Sequence, residues 1–194
     1  MTRNRLEAFS DGVIAIIITI MVLELNPPEG TGVPELVHLA PHLLAYMLSF
    51  VFVGIYWNNH HHLLHVVDRV DGKVLWANMH LLFWLSLTPF VTAWMGRQNA
   101  APLTVAAYGA VQLASAIAYF VLTRTLLALH PSESRLARAL GSDWKGKASL
   151  IAYTAAMALA FVERWAAIAI YVAVALVWLV PDRRIERTIG AERQ

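Results

Sequence analysis

The 194-residue chain is long enough for one or two soluble domains, but 58% of it is hydrophobic and only 14% is charged, against about 45–50% and about 25% in ordinary soluble domains. With a mean hydropathy of +0.55, it lacks the polar residues to cover a water-facing surface, which excludes a soluble monomer. The net charge of +2 is small, the basic residues stand between apolar segments rather than in one stripe, and cysteine is absent, so a nucleic-acid footprint, a disulfide framework and thiolate chemistry are excluded as well.

A bilayer core needs about 20 residues of helix, and the apolar runs predict six spans, at about 9–25, 41–66, 74–95, 103–127, 145–162 and 165–181. No small-residue cleavage site follows the first run, which reads as a retained helix and not a signal peptide. The second span is apolar through Trp57 and polar from Asn58 to His65. The first, fifth and sixth are short and must stand nearly upright or borrow interfacial residues. Only Glu163-Arg164 divides the last two, which suits a tight hairpin. No repeat, low-complexity segment or linker divides the chain, so residues 1–194 read as one all-α transmembrane domain. Six spans put both termini on one side, and every Lys and Arg except Arg97 and Arg164 falls on that side, from Arg3 and Arg5 through Arg135 and Arg138 to Arg183, Arg184, Arg187 and Arg193. The bias places both termini in the cytoplasm and the chain in the cell membrane. Alanines at intervals of four, at 106–118, at 152–160 and at 169 and 173, predict close helix packing, and Trp76, Trp94, Trp144, Trp165 and Trp178 fall near span ends like an aromatic belt.

Polar groups inside spans call for explanation. Ser10 and Asp11 either cap a first helix that starts near Phe9 or, if the helix starts near Arg3, lie within it. Arg5 and Asp11 are too far apart to pair within one helix, so each is expected to seek the His60/His61 pair or another subunit. His61 and His65 have the spacing of a metal pair, but no second histidine box and no carboxylate before Asp68 accompany them. Hydrogen bonding among the polar groups is the expected role instead. His38 and His42 read as interfacial. Ile16, Thr19, Ile20 and Leu23 share one face of the first helix, where Thr19 is expected to bond back to the Ala15 carbonyl. Glu24, Glu29 and Glu35 gather at the external end, an acidic mouth of the kind that concentrates cations.

Arg5, Phe9-Ser10-Asp11-Gly12-Val13, Ala15-Ile16, Thr19 and Val22-Leu23-Glu24-Leu25 together resemble the first-helix signature of the transmembrane protein 175 family of potassium channels. Trp57-Asn58-Asn59-His60-His61, Asn78 and Pro89-Phe90 are similar to that family too, with His62 a small lengthening of the histidine run. The resemblance implies a pore formed by first helices, and the chain indeed lacks a Thr-Val-Gly-Tyr-Gly filter. It implies that a one-repeat chain such as this assembles as a homotetramer, that Ile16 is the main hydrophobic constriction, and that Thr19 or Ile20 and then Leu23 form the next pore-facing layers. It further implies that Arg5, Phe9, Ser10, Asp11, Trp57, His60, His61 and Asn78 belong to a network bracing the pore helix. The expected function is a potassium-selective leak channel gated by its hydrophobic ring, with no cofactor or metal beyond the permeant ion and no nucleic-acid partner. A proton-permeable channel and a histidine-rich membrane metalloenzyme are the alternatives.

Overall fold

The computed structural model describes residues 2–28, 30–67, 69–130 and 144–179. Among them are seven helical segments: α1 Arg3–Leu23, α2 Val33–His65, α3 Gly72–Ser86, α4 Thr88–Arg97, α5 Pro102–Leu129, α6 Trp144–Leu159 and α7 Arg164–Leu179. α3 and α4 meet at Leu87, which ends one and begins the other, so the segments form six rods. Glu29, Asp68, Arg135, Arg138, Arg183, Arg184, Arg187, Arg193 and the last two positions of the sixth predicted span lie outside the described residues.

The helix ends differ from the predicted ones for local reasons. α1 starts at Arg3, after an extended Thr2, and not at Phe9. Ser10 and Asp11 therefore sit inside the helix and do not cap it. It ends at Leu23, before Leu25, because Pro27 pushes Asn26 away from helical backbone. α2 starts at Val33 and not at Pro41; extended Gly32 precedes it, Pro34 occupies the first turn, where its missing N–H is harmless, and the helix runs on through Pro41. Asp71 caps α3 by accepting the Val74 N–H at 2.9 Å. The bend at Leu87 follows from Pro89, which has no N–H for the Leu85 carbonyl and whose ring would crowd it.

Four rods, α1, α2, α3–α4 and α5, are long and apolar enough to cross a membrane. α6 and α7 have 16 residues each, about 24 Å of helix against a hydrocarbon core of about 30 Å. One core joins α1, the end of α2, α3 and the end of α5 around Leu64, Val74, Leu81 and Leu122. The other joins α2, α4, α5, α6 and α7 around Phe52, Tyr108, Tyr153 and Tyr171. Ala156, Ala160 and Ala167 are fully buried there, as close packing requires. Ala169 and Ala173 instead face outward. α7 turns Tyr171 inward, and its ring lies against Gly109, where even a Cβ would collide with the Tyr171 hydroxyl. Glycine at that position makes room for the aromatic ring.

Candidate functional site

α1 packs against α2, α3 and α4 along one side only. Leu6, Ser10, Ile14, Ile17 and Met21 are buried on that side. The other side is bare within the subunit. Arg5, Gly12 and Thr19 form one column at seven-residue steps, and Phe9, Ile16 and Leu23 form another. The two columns alternate by four and three residues, the period of a seam that meets other helices around a common axis. The contrast between neighbours is sharp: Ile16 is 58% exposed and Leu23 78%, whereas Ile17 is 3% exposed. Ile20 is exposed beside them. Thr19 donates its hydroxyl to the Ile16 carbonyl at 2.8 Å, not to that of Ala15. Its hydroxyl hydrogen is thus held by its own helix, which leaves oxygen lone pairs to face outward.

Behind this face lies a buried polar chain linking three helices. The Ser10 hydroxyl donates to the Leu6 carbonyl at 2.9 Å. Asn78 on α3 donates from Nδ2 to Ser10 Oγ at 3.0 Å, and His60 Nε2 on α2 lies 2.7 Å from Asn78 Oδ1. Since the Asn78 amide nitrogen is engaged with Ser10, its oxygen is the acceptor and His60 Nε2 carries the hydrogen. His60 Nδ1 is buried without a partner. Ser10 and Asn78 are 0% exposed and His60 1%, so these groups hold one another where water does not reach.

A second set of ties runs along the start of α1. Arg3 donates to the carbonyls of His65 at 3.2 Å and Val67 at 3.3 Å. Glu7 Oε1 stands 2.9 Å from His61 Nδ1. Asp11 Oδ1 accepts the Trp57 indole N–H at 3.0 Å. Positions 3, 7 and 11 climb α1 by fours while 65, 61 and 57 descend α2 by fours, so two antiparallel helices are laced turn by turn. The Trp57 and His61 rings stack at 5.9 Å and those of His61 and His65 at 6.1 Å.

The expected mutual contact of Arg5, Asp11 and the His60/His61 pair is therefore redistributed within the subunit. Asp11 goes to Trp57, His61 to Glu7 and His60 to Asn78, while Arg5 and Phe9 lie exposed on the bare face. Sequence reasoning passed over Arg3 and Glu7, although their spacing of four to each other and to Asp11 was available as a signal. Among the described residues no group of three or more His, Asp or Glu side chains could hold a metal.

At the C-terminal end of α1 the acidic cluster expected from the sequence is partly neutralised. Arg97 at the end of α4 contacts Glu24 at 2.6 Å. The pair closes one end of an open groove of about 570 Å³ lined by Ile20, Pro89, Phe90 and Trp94. His38 is exposed, and His42 packs against Gly96, where an added Cβ would lie 2.9 Å from the His42 Cα.

A family model described as endosomal/lysosomal potassium channel TMEM175 matches residues 5–89. The chain is 51% identical over 189 residues to a potassium channel of Chryseobacterium sp. (strain P1-3), covering 97% of this chain and 98% of that one. It is 40% identical over 96 residues to the endosomal/lysosomal proton channel TMEM175 of Bos taurus, covering 43% of this chain and 20% of the bovine protein. The crystal structure of a lysosomal potassium-selective channel TMEM175 homolog from Chamaesiphon minutus superposes with a TM-score of 0.80 at 28% identity, covering 92% of this chain and 96% of that one.

Proposed function

The chain belongs to the TMEM175 family, a family of ion channels and not of enzymes, and from that premise we propose that it is a potassium-selective leak channel whose pore is lined by α1 of a homotetramer. The metalloenzyme alternative falls with family membership. The observation that carries the reading is the bare stripe on α1. A helix whose other side is packed on three neighbours leaves Ile16, Thr19 and Leu23 exposed, with Ile20 beside them at the edge of the groove formed with α4. Four copies around an axis would turn those residues toward one another and close the assembly as a ring, closed point-group symmetry being the rule among homo-oligomers. The whole of 1–194 acts as one channel domain in the cell membrane, with both termini cytoplasmic, as the Lys/Arg bias favours.

Ile16 forms the narrowest ring and gates by dewetting: a ring of sec-butyl groups holds no hydrogen bond for water, so a closed pore is dry. When the ring widens, potassium passes more readily than sodium because it surrenders its water at lower cost. Thr19 contributes oxygen lone pairs just beyond the ring. Ser10, Asn78 and His60, with the Glu7–His61 and Asp11–Trp57 ties, hold the first half of α1 at a set distance from the axis. Arg5 and Phe9, on the exposed side, meet neighbouring subunits. A second reading, proton permeation, is favoured by the name of the bovine relative, and the same experiment separates the two.

Purified protein in liposomes is loaded with potassium, sodium or proton gradients. Ile16→Asn is expected to raise potassium and sodium flux and to lower their ratio, because a polar ring stays wet. Ile17→Ala, about 100° round the helix, should leave the ratio unchanged. Equal effects at the two positions would mean that the exposed stripe does not line the pore. A native mass below that of a tetramer, with flux retained, would remove the assembly. Proton flux exceeding potassium flux would favour the second reading.

A further inference from the structure

The groove between α1 and α4 has room for several side chains, about 570 Å³, with Ile20, Glu24, Phe90, Ala93 and Trp94 among its walls. Phe90 is 64% exposed there. Ile20 belongs both to this groove and to the edge of the bare stripe on α1. In a channel lined by α1, a groove left open at that place would join the lumen to the lipid, so the assembly has to fill it with protein.

The bare side of α1 has a second edge. Ala8, Ala15 and Val22 recur there at seven-residue steps and are all exposed, Val22 by 46%. At about 100° per residue, Val22 and Ile20 stand about 160° apart round the helix, and the columns through Gly12 and Ile16 run between them. The Ile20 edge is bulky and grooved. The other edge carries two alanines, which let another helix come close.

A ring gives every subunit two different contact faces, one for each neighbour. Rotation about an axis along the pore moves a residue sideways and never up or down, so residues meet others at their own level. Val22 stands midway along α1 between Ile20 and Glu24, the two α1 residues of the groove. It is therefore at the level of the groove, on the edge that faces the other way.

We propose, on the tetrameric reading above, that Val22 of each subunit seats in the groove of the next, against the neighbouring subunit's Phe90 and Trp94. Ala8 and Ala15 continue the same contact along α1. The interface is head-to-tail and closes after four steps. Ile20 is then the seal between lumen and groove, and the columns through Gly12 and Ile16 are left to face the axis.

The chain has no cysteine, so introduced thiols report on the interface without background. The purified Val22→Cys/Phe90→Cys variant is treated with a short bis-methanethiosulfonate linker and run on a non-reducing denaturing gel, and the native mass of wild type is measured beside it. Thiols on two opposite flanks link a whole ring, so the monomer band is expected to be lost into covalent dimer, trimer and tetramer. Either single variant can link subunits only in pairs. Val22→Cys/Trp165→Cys, whose second thiol stands at the exposed start of α7 at the same end of the bundle, should also give no trimer or tetramer. Should Phe90→Cys fail to assemble, Ala93→Cys on the same wall takes its place, with the same bands expected. A tetrameric native mass without the trimer and tetramer bands, or equal bands from the Trp165 pair, overturns the seat and leaves the tetramer standing, with lipid or another face in the groove. A wild-type native mass below that of a tetramer removes the assembly and the seat with it.

Discussion

Asn78 joins three helices, and its removal should be felt throughout the start of α1. In Asn78→Ala, His60 loses its acceptor at 2.7 Å and Ser10 loses its donor at 3.0 Å, while the Ser10 bond to Leu6 survives. The imidazole N–H is then stranded at a site 1% exposed. A stranded buried donor costs about 1–3 kcal/mol. Interhelical bonds within membranes average only about 0.6 kcal/mol, because the chain unfolded in the membrane finds other partners. Two bonds at that lower figure set the floor, so the expected loss is about 1–3 kcal/mol. For a chain of this length that lowers the melting temperature by about 3–10 °C. Asp11→Asn is the comparison, since the new side chain still offers an oxygen to the Trp57 indole; its loss should stay below about 0.5 kcal/mol. Thermal unfolding of both purified variants, followed by tryptophan emission, measures the difference. If Asn78→Ala melts no lower than Asp11→Asn, the buried chain does not hold α1, and the brace falls with it.

Gly109→Ala should destabilise by about 1–3 kcal/mol, because its Cβ collides with the Tyr171 hydroxyl and would lie 2.8 Å from Met157 Cγ. Gly54→Ala, whose Cβ meets nothing within 4 Å, should be neutral or gain up to about 1 kcal/mol of helix propensity; equal melting shifts would refute the contrast. Ala100 adopts φ 54 in the turn between α4 and α5. Ala100→Gly relieves roughly 1–2 kcal/mol of left-handed strain and adds roughly 0.5–1 kcal/mol of unfolded-chain freedom, so a net gain near 0.5 kcal/mol is expected in the same melts, and a loss would contradict it. Arg97→Gln releases Glu24 from an ion pair whose side chains are 52% and 42% exposed. Stability should change by at most about 1 kcal/mol, while liposome cation flux should rise at low ionic strength and return to the wild-type value at high salt. A flux change insensitive to salt would deny the carboxylate that role.

Several features were determined by the sequence alone. The rods were legible because a helix in lipid must close its own backbone hydrogen bonds, so each crossing is written as a continuous apolar run. The shared face of Ile16, Thr19, Ile20 and Leu23 followed from helical geometry, and the polar residues Ser10, Asp11, Trp57, His60, His61 and Asn78 stood out against apolar neighbours. Hydropathy could not find the start of α1, because Arg3, Asn4 and Glu7 are polar yet helical, and interfacial turns leave no apolar trace. It also missed the bend at Leu87, since apolar character continues across it. The outward turn of Ala169 and Ala173 depends on the rotation of α7 that brings Tyr171 against Gly109. The choice of partners was likewise left to tertiary structure. Glu24 meets Arg97 across 73 positions of sequence, Asp11 takes Trp57 and His61 takes Glu7 because α1 and α2 run antiparallel in one particular register. Rotation and register are set by how side chains interlock over whole helix faces, and that information is spread over many residues and belongs to no single motif.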